Sequence, residues 1–296
     1  MNWDDLRVFL AVARAESLSG AAKATRLDPA TLGRRIARLE DALGVGLFAR
    51  SPRGYDLTEE GERLLPRAEQ AEQALAQGVD DLRGQAGQLA GSVRIGAPDG
   101  VANFLLPQVT AAISDANPGL EIQVVALPRV FNLSRREADM AIAVSPPTAG
   151  RLTVQKITDY RLHLAATREY LERHGPIRGL SDLRGHRIIG YIADMIFDPE
   201  LDYLAETGAE RVALTSNSVS VQLHWLRAGA GLGIVHDFAI PTAPGLVKVL
   251  PTEVSLRRTF YLIRHGDDRR LARLNRFAGL LTEGLRAEVA RLEAQS

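Results

Sequence analysis

The chain has 296 residues, of which 46% are hydrophobic and 24% charged, and its formal net charge is +0. This composition allows ordinary globular cores in two domains or three compact parts. The lack of cysteine excludes disulfides, thiolate zinc sites and cysteine nucleophiles. No apolar run approaches the roughly 18 residues that cross a bilayer, and the acidic start MNWDDLRVFL is unlike a secretory signal. We therefore expect a cytoplasmic protein that does not contact the membrane.

The first sixty residues are predicted to form helices with short breaks. Apolar side chains at helical spacing predict a helix over residues 3–15. A second, short helix is predicted over residues 20–25 with Ser19 as its N-cap, and a third over residues 29–43 with Asp28 as its N-cap. Two short helices, a tight turn and a third helix have the spacing of a helix-turn-helix.

The third helix is predicted to have an apolar inward face and a basic outward face. The inward face consists of Leu32, Ile36, Leu39 and Leu43. The outward face consists of Thr31, Arg34, Arg35 and Arg38. We expect Thr31 and Arg34 to contact base edges, and Arg35 and Arg38 to contact phosphates. The alternative is an ordinary solvated helix face, but a local basic surface on a neutral chain suits specific DNA binding.

A wing and a long helix are predicted to follow. Two extended pieces around residues 52–54 indicate a hairpin, with Arg50 and Arg53 at or near its tip. Thr58 is the predicted N-cap of a helix that continues to about Leu89 with apolar residues close to a heptad repeat. About thirty residues at 1.5 Å each make roughly 45 Å of helix, too long to be buried by its own small domain. We therefore expect it to pair with a second copy of the chain.

The pattern changes after residue 92 to strands that alternate with helices. Strands are predicted at residues 93–96, 120–127, 139–144, 162–167, 187–191, 211–215 and 233–236, and helices at 101–117, 130–136, 222–228 and 270–294. This alternation predicts parallel sheets and an α/β domain of two lobes, with ligands bound at the carboxyl ends of the strands.

Several segments together resemble the LysR-type transcriptional regulators. The helix-turn-helix is followed by LEDALGVGLFAR (residues 39–50) and LTEEGERLLP (residues 57–66), and the later VRIG and AGAGLG stretches resemble the family's effector domain. The resemblance implies an all-α winged helix-turn-helix N-terminal domain with a long linker helix, followed by an α/β two-lobed periplasmic-binding-protein-like domain. The corresponding boundaries are 1–58 for the DNA-binding domain, 59–90 for the linker, and 91–296 for the effector domain, with lobe one at 91–161 and 267–296 and lobe two at 162–266.

The same resemblance implies the partners of the protein. They are double-stranded promoter DNA with dyad symmetry, a small-molecule effector, and further copies of the chain in a dimer and then a tetramer. RNA polymerase is a further candidate partner. The family position of Arg50 is often structural, so this residue is expected either to contact DNA or to hold the wing in place.

The effector site is expected in the loop at residues 96–102. Where many members of the family carry serine or threonine, this chain has Asp99. The alternative is that Asp99 only caps the helix after it. Either way a carboxylate stands where an anionic ligand would bind, so we expect a neutral or cationic effector in preference to a carboxylate.

The expected effector contacts come from strand ends in both lobes. They are Pro98, Asp99, Gly100, Val101, Ser145, Tyr191, Asp194, Ser216, Asn217, Ser218, Gln222 and His236, with Val219 beside them. The serines of SNSVS (residues 216–220) have a second interpretation, as an N-cap cluster of the helix that follows.

Enzyme signatures are missing from the sequence. The six histidines lack metal-ligand spacing, and no elbow serine accompanies His236 and Asp237. The glycine-rich stretch at 229–233 precedes a strand, unlike a dinucleotide fingerprint. We therefore expect no cofactor, no metal and no catalysis. Two alternatives stay open: a ligand-binding or enzymatic α/β protein whose N-terminal helices only dimerise, and a regulator without an effector.

Overall fold

The computed structural model describes residues 2–51, 54–82, 89–126, 138–147, 152–204, 212–266, 268 and 271–296. The chain divides into two units, Met1–Gly87 and Gln88–Ser296, which are described separately. The predicted helix at 130–136, the end of the predicted linker helix and Arg53 lie outside the described residues. Among the helices described, none is long and apolar enough to span a membrane.

The first unit is a winged helix-turn-helix followed by a long helix, as predicted. Its elements are α1 (Trp3–Ala15), α2 (Leu18–Thr25), α3 (Pro29–Leu43), β1 (Phe48–Ser51), β2 (Gly54–Leu57) and α4 (Glu59–Leu82). Strands β1 and β2 form the antiparallel wing. Apolar residues of the three short helices, the wing and the start of α4 form one core. This core fixes the outward face of α3.

Two details of the helix-turn-helix differ from the prediction. Ser17, not Ser19, is the N-cap of α2, because its hydroxyl accepts the Gly20 N–H at 3.1 Å. Leu43 is 38% exposed instead of joining the inward face. It is the last residue of α3, and Gly44 turns the chain away there with a left-handed φ of 71°.

The second unit contains a nine-stranded mixed sheet. Its strands are β3 (Gly91–Ala97), β4 (Leu120–Ala126), β5 (Met140–Ala143), β6 (Leu152–Thr167), β7 (Ile188–Gly190), β8 (Leu214–Thr215), β9 (Leu232–His236), β10 (Leu246–Lys248) and β11 (Ser255–His265). Its helices are α5 (Asp99–Phe104), α6 (Leu106–Ala116), α7 (Arg168–His174), α8 (Val219–Arg227) and α9 (Ala272–Glu293). The strand order is β4-β3-β5-β11-β6-β9-β7-β8, and β10 also pairs with β6.

Two parallel groups of strands form the two lobes. In lobe one, β3 pairs in parallel with β4 and β5. In lobe two, β7 pairs in parallel with β8 and β9. The long strands β6 and β11 run between these groups and pair antiparallel with each other. The prediction of parallel sheets is therefore correct within each lobe and wrong for the strands that join them.

The first half of β6, all of β10 and β11, and one helix break were not predicted. The first half of β6 and most of β11 carry many charged side chains, which hide the apolar pattern of a strand, and β10 has only three residues. The predicted helix at 101–117 is two helices, α5 and α6, which meet at Leu105. Pro107 lacks the N–H that would continue the hydrogen bonds of a single helix through this point.

Candidate DNA-binding face and effector site

The start of α3 brings together the two side chains predicted to contact bases. Arg34 is exposed, and its guanidinium donates a hydrogen bond to the Thr31 hydroxyl at 3.1 Å. The Thr31 N–H in turn donates to the Asp28 carboxylate at 2.9 Å. Hydrogen bonds from Thr31 lower the pKa of Asp28. The N-cap of the helix thus fixes Thr31, and Thr31 orients Arg34 at the surface.

Arg38 has a partner within the protein. Its Nε donates to Asp5 Oδ2 at 2.8 Å, and a second guanidinium nitrogen contacts Asp5 Oδ1. The Asp5 side chain is 2% exposed and that of Arg38 is 59% exposed. This bidentate pair joins α1 to α3. Arg35 lies 3.6 Å from Asp4 and is more weakly held. Arg38 therefore helps to position α3, and its predicted contact with a phosphate stays a prediction.

The wing is anchored to the turn between α1 and α2. The Tyr55 N–H donates to the Glu16 carbonyl at 3.0 Å. A Cβ at Gly54 would lie 2.3 Å from the same carbonyl oxygen, so only glycine fits there. Glu40 accepts the N–H groups of Leu47 at 2.6 Å and Phe48 at 3.2 Å, which fixes the entry to β1.

The predicted wing arginines are only partly covered by the structure. The Arg50 backbone lies in β1 opposite Tyr55, but its side chain and all of Arg53 lie outside what is described. The anchoring roles of Asp5 and Glu40 were not predicted from the sequence. Glu40 belongs to the LEDALGVGLFAR motif, which was the only signal for it.

Asp99 accepts hydrogen bonds from the start of α8. Its Oδ2 accepts from the Ser218 hydroxyl at 3.1 Å and from the N–H and hydroxyl of Ser220, each at 3.0 Å. Its Oδ1 accepts from Asn103 Nδ2 at 3.1 Å. The interpretation of Asp99 as a simple N-cap is wrong, because Pro98 is the N-cap residue of α5 and no side chain caps that helix.

Ser218 of SNSVS caps α8, and both Ser218 and Ser220 bind Asp99. Ser218 is the N-cap and accepts the Val221 N–H at 3.3 Å. Ser216 accepts the Ser218 N–H at 3.1 Å through its hydroxyl. Gln222 donates to the Ser216 carbonyl at 2.8 Å. The N-cap interpretation is confirmed, and the serine hydroxyls form a polar connection from α8 to the Asp99 carboxylate.

A hydrogen bond between Ser145 and Asp198 also joins the lobes. The Ser145 hydroxyl, just after β5, contacts Asp198 Oδ2. Asp198 is buried and accepts the Glu200 N–H at 3.0 Å through its other oxygen. Asp194, a predicted effector contact, is exposed on a short turn and lines neither of the two cavities described next.

The described residues line a small cavity between the lobes and a large cavity within lobe two. The small one has a volume of about 20 Å³ and is lined by seven of the predicted contacts together with further aromatic side chains. The predicted contacts are Pro98, Asp99, Gly100, Val101, Tyr191, Asn217 and His236, with Val219 beside them. Such a volume holds about one water molecule. Tyr191 lines both cavities.

The large cavity has a volume of about 640 Å³ and lies in lobe two. Its lining is largely apolar, with Tyr191, Tyr203 and Phe197 shared with the small cavity. Gln222 and Asp202 add polar groups, and none of its described lining residues is basic. A volume in this range accommodates a typical small-molecule ligand.

The aromatic and imidazole groups of the cleft are uncharged near neutral pH. His236 is 6% exposed, and burial lowers its pKa to about 4. Burial raises the pKa of both Tyr191 and Tyr203. The Tyr203 hydroxyl lies 3.4 Å from His236 Nε2. The described residues contain no group of three or more potential metal ligands. The cleft is thus suited to ligand binding through hydrogen bonds and aromatic contacts.

A helix-turn-helix with an exposed arginine face, joined to a two-lobed α/β domain with a cleft, defines a ligand-responsive transcriptional regulator. Residues 3–62 match the model for the bacterial regulatory helix-turn-helix protein, lysR family. Residues 86–286 match the LysR substrate binding domain. The chain belongs to the LysR family of transcriptional regulators, and its function is the regulation of transcription, not catalysis.

Named relatives and solved structures agree with this assignment. The transcriptional regulator CrgA of Neisseria meningitidis serogroup C (strain 8013) is 24% identical over 96% of this chain and 97% of its own length. DmlR of Escherichia coli (strain K12) is 33% identical over 61% of this chain and 59% of its own. The CrgA structure covers 96% of this chain and 99% of its own, with 24% identity and a TM-score of 0.60. CbnR complexed with its target DNA covers 96% and 100%, with 21% identity and a TM-score of 0.63. These structural likenesses show the fold.

Proposed function

We propose that this regulator reads promoter DNA through Thr31 and Arg34, with supporting contacts from Arg35 and from the wing residues Arg50 and Arg53. The observation that carries the proposal is the exposed Arg34 side chain, which Thr31 orients at the start of α3. An arginine fork at this position suits a guanine edge in the major groove. Arg38 supports DNA binding indirectly, because its pair with buried Asp5 holds α3 on α1. We place this activity in the cytoplasm.

The test is binding to the intergenic DNA upstream of the protein's own gene. Fluorescence anisotropy at two salt concentrations would compare this fragment with a random duplex. We expect at least roughly a thousandfold preference for the native fragment, which Arg34→Ala removes. Arg173→Ala, an exposed arginine of α7, is the matched control and leaves the preference unchanged. Equal weak binding of the native protein to both duplexes, collapsing as salt rises, would contradict the proposal.

We assign one function to each predicted segment: DNA binding to residues 1–58, dimerisation to residues 59–90 and effector binding to residues 91–296. Leu75 of α4 is 51% exposed, which supports a second α4 packing against it. Two such dimers would form a tetramer, and the promoter-bound assembly would be available to RNA polymerase. Effector binding shifts the equilibrium between two arrangements of the lobes, and this requires different affinities for the two.

The proposed effector is a neutral or cationic molecule with an apolar body. The aromatic lining, the carboxylate of Asp202 and the lack of basic residues around the described large cavity support this class. Thermal unfolding against matched panels of aryl amides, aryl amines and aryl carboxylates tests it, because a ligand of the folded state raises the midpoint. We expect shifts from amides or amines. Tight binding of a simple dicarboxylate, unaffected by Asp99→Ser, would exclude the proposed class, and no shift from any panel would favour a regulator without an effector.

A further inference from the structure

We propose that Asp99 is a tethered ligand: its carboxylate fills the anion-binding position at the start of α8 and connects the lobes without an effector. The proposal rests on the proposed function only in treating the cleft between the lobes as the effector site. It assigns Asp99 a specificity-determining role, because an anionic effector would have to displace a carboxylate that belongs to the chain.

The surroundings of the Asp99 carboxylate are those of a bound anion. The N–H of Ser220, in the first turn of α8, donates to Oδ2 at 3.0 Å. Two hydroxyls, from Ser218 and Ser220, donate to the same oxygen at 3.1 and 3.0 Å. A helix N-terminal N–H together with hydroxyl donors is the set that binds free carboxylates. Here the carboxylate is covalently part of the chain, so its effective concentration does not depend on a metabolite.

The tether crosses from one lobe to the other. Asp99 follows β3 of lobe one, whereas Ser218 and Ser220 follow β8 of lobe two. Helix α5 contacts α8 directly. The Ser145 hydroxyl and Asp198 form a second link of the same chemistry between the lobes. Both links pair a carboxylate with a hydroxyl, and in the described structure they hold the lobes together without an added ligand.

The space beside Asp99 leaves no room for a second anion. The cavity at this point holds about 20 Å³. A Cβ added at Gly100 would lie 3.3 Å from both His236 and Val219, which shows how closely α5 approaches lobe two. Among the described residues that line either cavity, none is lysine or arginine, so a second anion would lack a countercharge. An anion is therefore excluded from the position beside Asp99 by the lack of both space and a countercharge.

The experiment is chemical rescue of full-length protein that lacks the tether. Asp99→Ala removes the carboxylate and leaves a gap that formate can fill. We expect a lower unfolding midpoint for Asp99→Ala and a saturable rise with sodium formate beyond that in sodium chloride of equal ionic strength. The native protein should respond equally to both salts. Asp99→Ser is the second variant if Asp99→Ala requires formate to fold, which would itself support the proposal.

Three controls separate a tether from a general effect of formate. Asp99→Asn fills the same space without a charge, so it should lose stability and not respond to formate. Ser220→Ala, added to Asp99→Ala, should weaken the rescue because one hydroxyl donor is lost. Glu169→Ala removes an exposed carboxylate of lobe two that lines neither cavity, and it should create no formate response.

Hydrogen exchange gives a readout that overall stability does not. The Ser220 amide should exchange faster in Asp99→Ala than in the native protein and slow down again in formate. An unchanged midpoint in Asp99→Ala, or equal stabilisation of native protein and variant by formate, would overturn the proposal. Neither measurement involves DNA or an effector, so failure here is distinguishable from failure of the proposed function.

Discussion

His236 lines the small cavity, with the Tyr203 hydroxyl 3.4 Å from its Nε2 and the Tyr160 ring stacked at a centroid distance of 5.5 Å. Burial outweighs the attraction of Asp237 and Asp99 and lowers the pKa of His236 to about 4. In the unfolded chain the pKa would be about 6.5. The folded state therefore binds fewer protons between these values, and stability rises with pH across this window.

The difference between the folded and unfolded pKa of His236 predicts that acid destabilises the second unit. The contribution of His236 is fully present above about pH 6.5 and is lost as pH falls towards 4, by up to roughly 3 kcal/mol. The chain has two tryptophans, Trp3 and Trp225, one in each unit. Urea unfolding of a Trp3→Phe variant, followed by Trp225 fluorescence, isolates the second unit. His236→Asn should flatten the pH dependence in this window, and an unchanged slope would contradict the assignment.

The ion pair of Arg38 and Asp5 predicts that replacing Arg38 destabilises the first unit. Arg38→Ala leaves a carboxylate that is 2% exposed without its bidentate partner. We expect a lower free energy of unfolding for the first unit, because the buried Asp5 carboxylate is left without a partner. In a double-mutant cycle with Asp5→Ala, the combined loss should be smaller than the sum. Additive losses would show that the two side chains do not interact.

Contacts between side chains that are close in sequence could be predicted. Thr31 and Arg34 lie one helical turn apart, and helical periodicity places them on the same face. Arg38 and Asp5 are 33 residues apart, and Asp99 and Ser220 are 121 apart. Periodicity carries no information at such separations. The family resemblance predicted that Asp99 and Ser218 share one site, but the hydrogen bonds of Asp99 to Ser218 and Ser220 could not be predicted.

Helices and strands could be predicted from the sequence where residues at their ends mark the boundaries. Asp28 and Pro29 define the start of α3, and Gly44 defines its end. Strand β11 pairs with residues 152–163 of β6, but the charged residues of these two stretches resemble loop or helix in sequence. These segments are extended because of their pairing in the sheet, in which each strand satisfies the backbone hydrogen-bonding groups of the other. The antiparallel centre of the domain therefore depends on pairing between distant segments.

The wing provides a prediction at the scale of elements. Gly54 has a φ of 140°, and an added Cβ would lie 2.3 Å from the Glu16 carbonyl oxygen. Gly54→Ala should therefore detach the wing from the α1–α2 turn and destabilise the first unit by about 2–3 kcal/mol. Gly44→Ala is the matched control, because Gly44 has a φ of 71° but no atom within 4 Å of an added Cβ.

Trp3 fluorescence in a Trp225→Phe background reports unfolding of the first unit alone. Gly44→Ala should cost about 1 kcal/mol, from backbone strain without a collision. Equal losses in the two variants would show that the contact with Glu16 does not hold the wing.

The whole molecule combines two units that the sequence identifies in different ways. The first is identified by motif spacing, since the helix-turn-helix, the wing and the start of α4 follow one another without long gaps. The second is identified by alternation of strands and helices, although its cleft is assembled from segments more than a hundred residues apart. The family assignment follows from both.

Assembly is the last property that this architecture predicts. Leu75 is 51% exposed on α4, within a near-heptad pattern of apolar residues. A charge at a helix–helix interface costs several kcal/mol when buried without a partner. Leu75→Glu should therefore lower the oligomer mass measured by light scattering and weaken binding to a dyad-symmetric operator far more than to a single half-site. Leu180→Glu, at a leucine of lobe two that is 41% exposed, is the control and should change neither. An unchanged mass for Leu75→Glu would place the dimer contact away from this face of α4.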